Sequence, residues 1–148
     1  MFSAELKRLG LLVVACEHSP KGRRLAQKQG VDCRPFDLSQ TPPAEVADMY
    51  DLAICFEVAE HLTPELGLAL VKFLASRASL VIFTAAQTDQ GGTGHINEQP
   101  RSYWIERFER EGMRFDAHKS DAIAASLKEQ NLPADYLIRN MTVFERET

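Results

Sequence analysis

Cysteine is scarce in this sequence, and its few copies follow no ligand or disulfide pattern. Cys16, Cys33 and Cys55 are the three in 148 residues, with no Cys-x-x-Cys pair. The odd count and wide spacing exclude a disulfide framework and a zinc knuckle, and fit reduced thiols in a cytoplasmic protein. Positive charge is not in excess either: 17 Lys and Arg against 21 Asp and Glu leave a net charge of −4. That balance provides no electrostatic footprint for a nucleic-acid backbone. The early cluster Lys7, Arg8, Lys21, Arg23, Arg24 and Lys28 reads as a solvated helix face. No apolar run approaches the roughly 20 residues of a membrane helix, and the N-terminus has no signal-peptide pattern. Repeats, low-complexity tracts and linkers are missing too, so one domain over residues 1–148 is expected. Hydrophobic content of 45% is enough for one sizeable core.

What is present is an alternation of apolar runs and helical segments. The organising stretch is Tyr50 to Leu62. Tyr50 to Cys55 reads as a buried strand, and Glu57, Glu60 and His61 follow at spacings that share one face of a helical turn. Leu11 to Cys16, Val31 to Phe36, Ser79 to Thr84, Met113 to Ala117 and Leu137 to Phe144 read as the other strands; Pro35 marks an edge position. Helices are expected over Phe2 to Leu9, Pro20 to Gln29, Thr63 to Ser76, Arg101 to Arg110 and Ser120 to Gln130, with a short polar piece over Thr41 to Asp48. Ser19 and Thr63 are the cap signals, and Gly10, Gly30 and Gly112 the stops. The pattern predicts an α/β fold: a Rossmann-like, doubly wound, mostly parallel sheet of about six strands whose last strand returns antiparallel.

In such sheets ligands bind beyond the carboxyl ends of the strands. Glu17, Asp37 and Glu57 follow the first three strands, and a carboxylate there can accept both hydroxyls of a ribose or, at Asp37, the amine of an adenine. Glu57, Glu60, His61 and His95 form a second constellation, an oxygen–nitrogen donor set suited to Mg²⁺, Mn²⁺, Fe²⁺ or Zn²⁺. The same residues also read without a metal, His61 or His95 serving as a general base. Gly91, Gly92 and Gly94 lack the Lys-Ser/Thr that would follow a phosphate cradle. Tyr103 and Trp104 can stack on a flat or sugar-like acceptor or pack in the core beside Phe108. Tyr136, Arg139 and Asn140 project to the same edge.

Two long motifs, Tyr50-Asp51-Leu52 running into Phe56-Glu57-Val58-Ala59-Glu60-His61, and Gly91-Gly92-Thr93-Gly94-His95-Ile96-Asn97-Glu98-Gln99-Pro100, resemble a branch of the class I S-adenosylmethionine-dependent methyltransferases. Ser102 to Ile105 and the ending Tyr136 to Phe144 continue the similarity, which runs from about Leu11. The resemblance implies cofactor contacts at Glu17, His18, Asp37, Leu38, Phe56 and Glu57, and acceptor contacts at Asn97, Glu98, Tyr103 and Trp104. Glu57, Glu60, His61 and His95 resemble the metal site of small-RNA 2′-O-methyltransferases, and ubiquinone-pathway O-methyltransferases look similar there. The family's first strand and Gly-x-Gly-x-Gly loop have no counterpart ahead of Glu17. A second alignment lays Val13 to Pro20 on that loop and puts Asp37 in the ribose role. Either way the first three strands are expected in the order second, first, third. The gap is expected to close or to be covered by another copy of the chain, and the cofactor pocket to be compromised; a fragment of a longer protein is the third reading. The implied function is O-directed methyl transfer from S-adenosylmethionine to a small-molecule or sugar-like acceptor. The alternative is an inactive methyltransferase-like module that binds partners or itself.

Overall fold

The computed structural model describes residues 2–40, 46, 48–130 and 135–147. They gather into two units, Met1–Asp48 and Met49–Thr148. The polar piece expected over Thr41 to Asp48 falls almost wholly outside the described residues.

The first unit runs α1 (Phe2–Arg8), β1 (Val14–Glu17), α2 (Pro20–Lys28) and β2 (Asp32–Pro35). Ser19 caps α2, its hydroxyl accepting from the Gly22 N–H at 3.4 Å with Pro20 in the first turn; proline is suited there because its missing N–H would be unpaired anyway. β1 and β2 pair in parallel from Val14 opposite Asp32 to Glu17 opposite Pro35. Pro35 therefore sits at the strand's last position, where its missing donor is least disruptive. Ala26, Val31 and Cys33 form the small core, with Ala4 and Ala15 against it. Strand β1 is shorter than expected: Leu11 and Leu12 lie ahead of it, and Leu12 is 92% exposed.

The second unit runs β3 (Tyr50–Phe56), a 3-10 turn (Ala59–His61), α3 (Pro64–Arg77), β4 (Ala78–Thr84), α4 (Arg101–Arg110), β5 (Met113–Phe115), α5 (Ala117–Glu129), α6 (Asp135–Asn140) and β6 (Thr142–Arg146). Its sheet has the order β3-β4-β6-β5; β3 and β4 are parallel, and β6 is antiparallel to both neighbours. The returning last strand is thus present.

Three expectations are corrected. The six strands expected in one sheet form a two-stranded sheet, β1-β2, in the first unit and a four-stranded sheet, β3-β4-β6-β5, in the second, so the ladders pair β1 with β2 and β3 with β4. Next, the strand expected over Leu137 to Phe144 is a helix, α6, followed by the shorter β6. Within α6 Leu137 and Asn140 are buried at i, i+3 spacing, the helical period that two-residue alternation conceals over so short a run. Finally, α5 begins three residues early. Asp116 caps it, its Oδ1 accepting from the Lys119 N–H at 2.9 Å, and β5 ends at Phe115.

The core of this unit is aromatic. Phe108 stacks on Phe144 at 4.0 Å between ring centroids and meets Phe83 edge-on at 5.3 Å, while Trp104 lies 5.4 Å from Phe83. Gly67 makes room for this packing: a Cβ there would lie 3.2 Å from the Trp104 ring and 3.1 Å from the Asn97 amide. Among the described residues no helix is long and apolar enough to cross a membrane. Phe108→Ala should destabilise this unit by about 3–5 kcal/mol, the usual cost of emptying a buried phenylalanine site. Ile96→Ala, at a side chain 63% exposed, should change stability by no more than about 0.5 kcal/mol. Urea unfolding read through Trp104 fluorescence checks both.

Candidate active site

In the first unit the parallel register brings Glu17 and the β2 end to the same edge. Glu17 Oε1 accepts from the Ser19 N–H at 2.7 Å, and the side chain lies over Gly22, where a Cβ would come within 2.7 Å of it. Asp37 forms a turn with its own neighbours: Oδ1 accepts from the Ser39 N–H at 2.9 Å and the Ser39 hydroxyl at 2.7 Å. Those bonds, the hydroxyl's first, hold its carboxyl below the usual range. His18 Nδ1 lies 3.9 Å from Asp37 Oδ2. Asp37 Oδ2 also accepts from Gln40 Nε2 at 3.5 Å, so Glu17, His18, Asp37 and Leu38 gather at one strand edge.

In the second unit the chain leaves β3 through a strained corner. Glu57 has φ +52°, a left-handed conformation that costs a non-glycine residue about 1–2 kcal/mol. Two bonds hold it: the Glu57 N–H donates to the Thr84 carbonyl at 3.0 Å and hydroxyl at 3.2 Å. Because of this corner, Glu57 is not on a helical turn with Glu60 and His61, as their spacing implied. Its Oε1 instead accepts from Asn140 Nδ2 at 3.3 Å, and the same amide reaches Gln90 Oε1 at 3.0 Å.

Glu60 and His61 sit on the 3-10 turn, and the glycine-rich loop is bound to it. The Glu60 carbonyl accepts from the Ile96 N–H at 2.8 Å and the Asn97 N–H at 3.1 Å, while Asn97 Nδ2 donates to the Ala59 carbonyl at 3.3 Å. This brings His95 beside His61, with ring centroids 4.9 Å apart. Glu60, His61 and His95 offer ligand atoms all within 4.8 Å of one another. Gly92 is required beside them, since a Cβ there would lie 2.4 Å from the His95 ring.

Two features suit this trio to a divalent cation. The Glu60 side chain is fully buried and forms no ion pair among the described residues; its neighbours are its own backbone N–H, the Glu57 carboxyl and His61, and no hydrogen bond of good geometry reaches either carboxylate oxygen. A buried carboxylate without good hydrogen bonds is costly unless it is protonated or meets a cation. Each imidazole, in turn, already uses one nitrogen. His61 Nδ1 lies 3.1 Å from the Gly94 carbonyl, and His95 Nδ1 lies 2.7 Å from Glu98 Oε1. Facing acceptors, both Nδ1 atoms carry the proton, which leaves both Nε2 lone pairs available; this outer bonding is typical of metal-ligating histidines. Glu57 stands outside the trio. The donor set fits Mg²⁺, Mn²⁺, Fe²⁺ or Zn²⁺.

A cavity of about 410 Å³ opens on these groups, lined by Glu57, Glu60, His61, Gln90, Gly91, Gly92, His95, Tyr136 and Arg139. Tyr136 and Arg139, which the sequence brings to this edge only weakly, are on its wall; Gln90 carried no signal beyond lying in the loop. The remaining acceptor candidates take other positions. Trp104 is 2% exposed within the aromatic core, Tyr103 is half-buried under the Arg107 guanidinium, and Asn97 is buried against Ala59. Glu98 orients His95, and that bond holds its carboxyl below the usual range.

Burial, with the nearby Glu57 charge adding to it, pushes the Glu60 carboxyl above its ordinary value. A carboxyl raised in the folded state favours folding while it is protonated. Its contribution is therefore fully present below pH 4.5, the ordinary value, and is lost as pH rises through the higher folded value. In metal-free protein, Glu60→Gln should flatten this decline, measured as urea midpoints from pH 4 to 8. An unchanged slope would show that Glu60 is not the group responsible.

No protein-family model matches the chain, and no curated protein matches it. Solved structures do. Magnesium protoporphyrin IX methyltransferase (ChlM) from Synechocystis PCC 6803 with bound SAM superposes with a TM-score of 0.68 at 18% identity, over 98% of this chain and 64% of that one. The same enzyme with bound SAH is matched over 59% of its length, so this chain spans less than two thirds of it. A SAM-dependent methyltransferase from Archaeoglobus fulgidus gives a TM-score of 0.66 at 12% identity, covering 98% of this chain and 80% of that one. Small RNA methyltransferase HEN1 gives 0.64 at 15% identity, over 90% and 20%. At these identities the likeness concerns the fold alone: the chain has the Rossmann-like architecture of SAM-dependent methyltransferases.

Proposed function

We propose that this chain is a SAM-dependent methyltransferase domain that methylates an oxygen, with a divalent cation held by Glu60, His61 and His95. The observation that carries this reading is the buried Glu60 carboxylate, which forms no ion pair among the described residues, beside two imidazoles whose other nitrogens are already engaged. It stands in a fold shared with enzymes crystallised with SAM and SAH. SAM supplies the sulfonium methyl group, and a cation at this trio lowers the pKa of an acceptor hydroxyl.

The chain's own residues supply binding and orientation. In the first unit Glu17 and Asp37, with His18 and Leu38 beside them, would accept hydrogen bonds from the ribose hydroxyls and the adenine amine. The Gly94 carbonyl and Glu98 fix the two imidazoles. Asn97, through Ala59, keeps the acceptor loop on the turn, with Tyr103 and Trp104 beneath it. A cation-free variant of the reading is favoured by the 2.7 Å His95–Glu98 contact: a carboxylate-oriented imidazole whose Nε2 takes the acceptor proton is a general base. The substrate is a small molecule or a sugar-like hydroxyl compound.

Mn²⁺ at a hundred times its dissociation constant should stabilise the protein by about 2.7 kcal/mol, seen as a rise in melting temperature. Glu60→Gln and His95→Ala should each abolish the rise. A rise unchanged in both variants excludes the cation site, and the general-base reading then stands alone. Calorimetric titration with SAM checks the cofactor directly: heat of binding is expected, and none at millimolar ligand would exclude catalysis by this chain.

A further inference from the structure

The cavity has two chemically opposite walls, and the mechanism above uses one of them. The acidic and imidazole wall comes from the corner after β3 and the glycine-rich loop. The other comes from α6, which contributes Tyr136 and Arg139.

Arg139 is held in place from both sides. Its carbonyl accepts from the Arg101 guanidinium, and the Arg101 N–H is itself taken by Gln87 Oε1 at 3.0 Å. The next residue, Asn140, is 1% exposed and bonds both Glu57 and Gln90. The backbone carrying Arg139 is thus fixed while its guanidinium stays free, making no ion pair or hydrogen bond among the described residues. A guanidinium present to neutralise the cavity would pair with Glu57 or Glu60, which line it too. This one stands off from both, with the Arg101 charge behind it. Tyr136, 45% exposed, adds a ring face and a phenol donor. A guanidinium fork carried on a fixed backbone is suited to a planar or tetrahedral anion.

We infer that the acceptor carries an anionic group, a carboxylate or a phosphate, beside its reacting hydroxyl, and that Arg139, aided by Tyr136, binds that group. This rests on the proposed methyl transfer at the same cavity and names the substrate class it acts on. The hydroxyl end meets Glu60, His61 and His95; the anionic end meets α6.

The test is calorimetric binding to the full chain with Mn²⁺, using two matched pairs of probes: catechol against 3,4-dihydroxybenzoate, and ribose against ribose 5-phosphate. In at least one pair the anionic member should bind roughly tenfold or more tightly, as a hydrogen-bonded charge contact provides, and the pair concerned distinguishes carboxylate from phosphate. Arg139→Gln should erase the preference and leave the neutral member unchanged; Arg139→Lys, which keeps the charge without the fork, should retain part of it. Equal binding within both pairs, or a preference that survives Arg139→Gln, overturns the inference. If catechol or ribose binds without an anion preference, only this inference falls. If Mn²⁺, SAM and all four probes fail to bind, the methyltransferase reading falls with it.

Discussion

The site depends on one carbonyl. The Glu60 main-chain oxygen takes both the Ile96 and Asn97 N–H groups, and through them a loop with three glycines between 91 and 94 is held on a single 3-10 turn. Together with the Asn97–Ala59 and His61–Gly94 bonds, this link sets His95 against His61, where glycine-rich backbone has little conformational preference of its own. With it, two imidazoles and a carboxylate come within ligand distance of one another. Backbone-to-backbone bonds set the geometry, and the side chains are then oriented by their outer partners, the Gly94 carbonyl and Glu98.

The cost of this arrangement is concentrated in two residues. Glu57 is held in a left-handed corner, and Glu60 buries a carboxylate that no ion pair relieves among the described residues. Strain and unsatisfied polarity of this kind persist only where the surroundings over-determine them, and they cluster at functional sites. The surroundings here are firm: Thr84 grips the Glu57 N–H, Asn140 grips its side chain, and the Phe83–Phe108–Phe144 stack forms the core beneath. A rigid base under a strained rim is what positions a first shell of ligands accurately.

Much of the first unit's interior is small. Ala26, Val31, Cys33, Ala4 and Ala15 make up its core, while Phe2, Leu9, Leu11, Leu12 and Leu25 remain exposed. A two-stranded sheet has little face on which to bury such side chains. The second unit, with four strands and an aromatic stack, buries its large residues and carries the metal-competent trio.

The sequence by itself determined the elements with strong local signals: the helices capped by Ser19 and Thr63 and the strands over Tyr50 to Cys55 and Ser79 to Thr84. Those signals are contained within a few residues, so no long-range contact is needed to read them. Tertiary structure alone decided the rest. The division into two sheets depends on which strands become neighbours. The helix at α6 depends on Leu137 finding a core and on Asn140 reaching Glu57 and Gln90. Glu57 left the face it shares with Glu60 on paper because the Thr84 hydrogen bonds, from a strand 27 residues away, turned the backbone at that point. Hydrogen-bond partners distant in the chain settle such choices, and residue spacing carries no record of them.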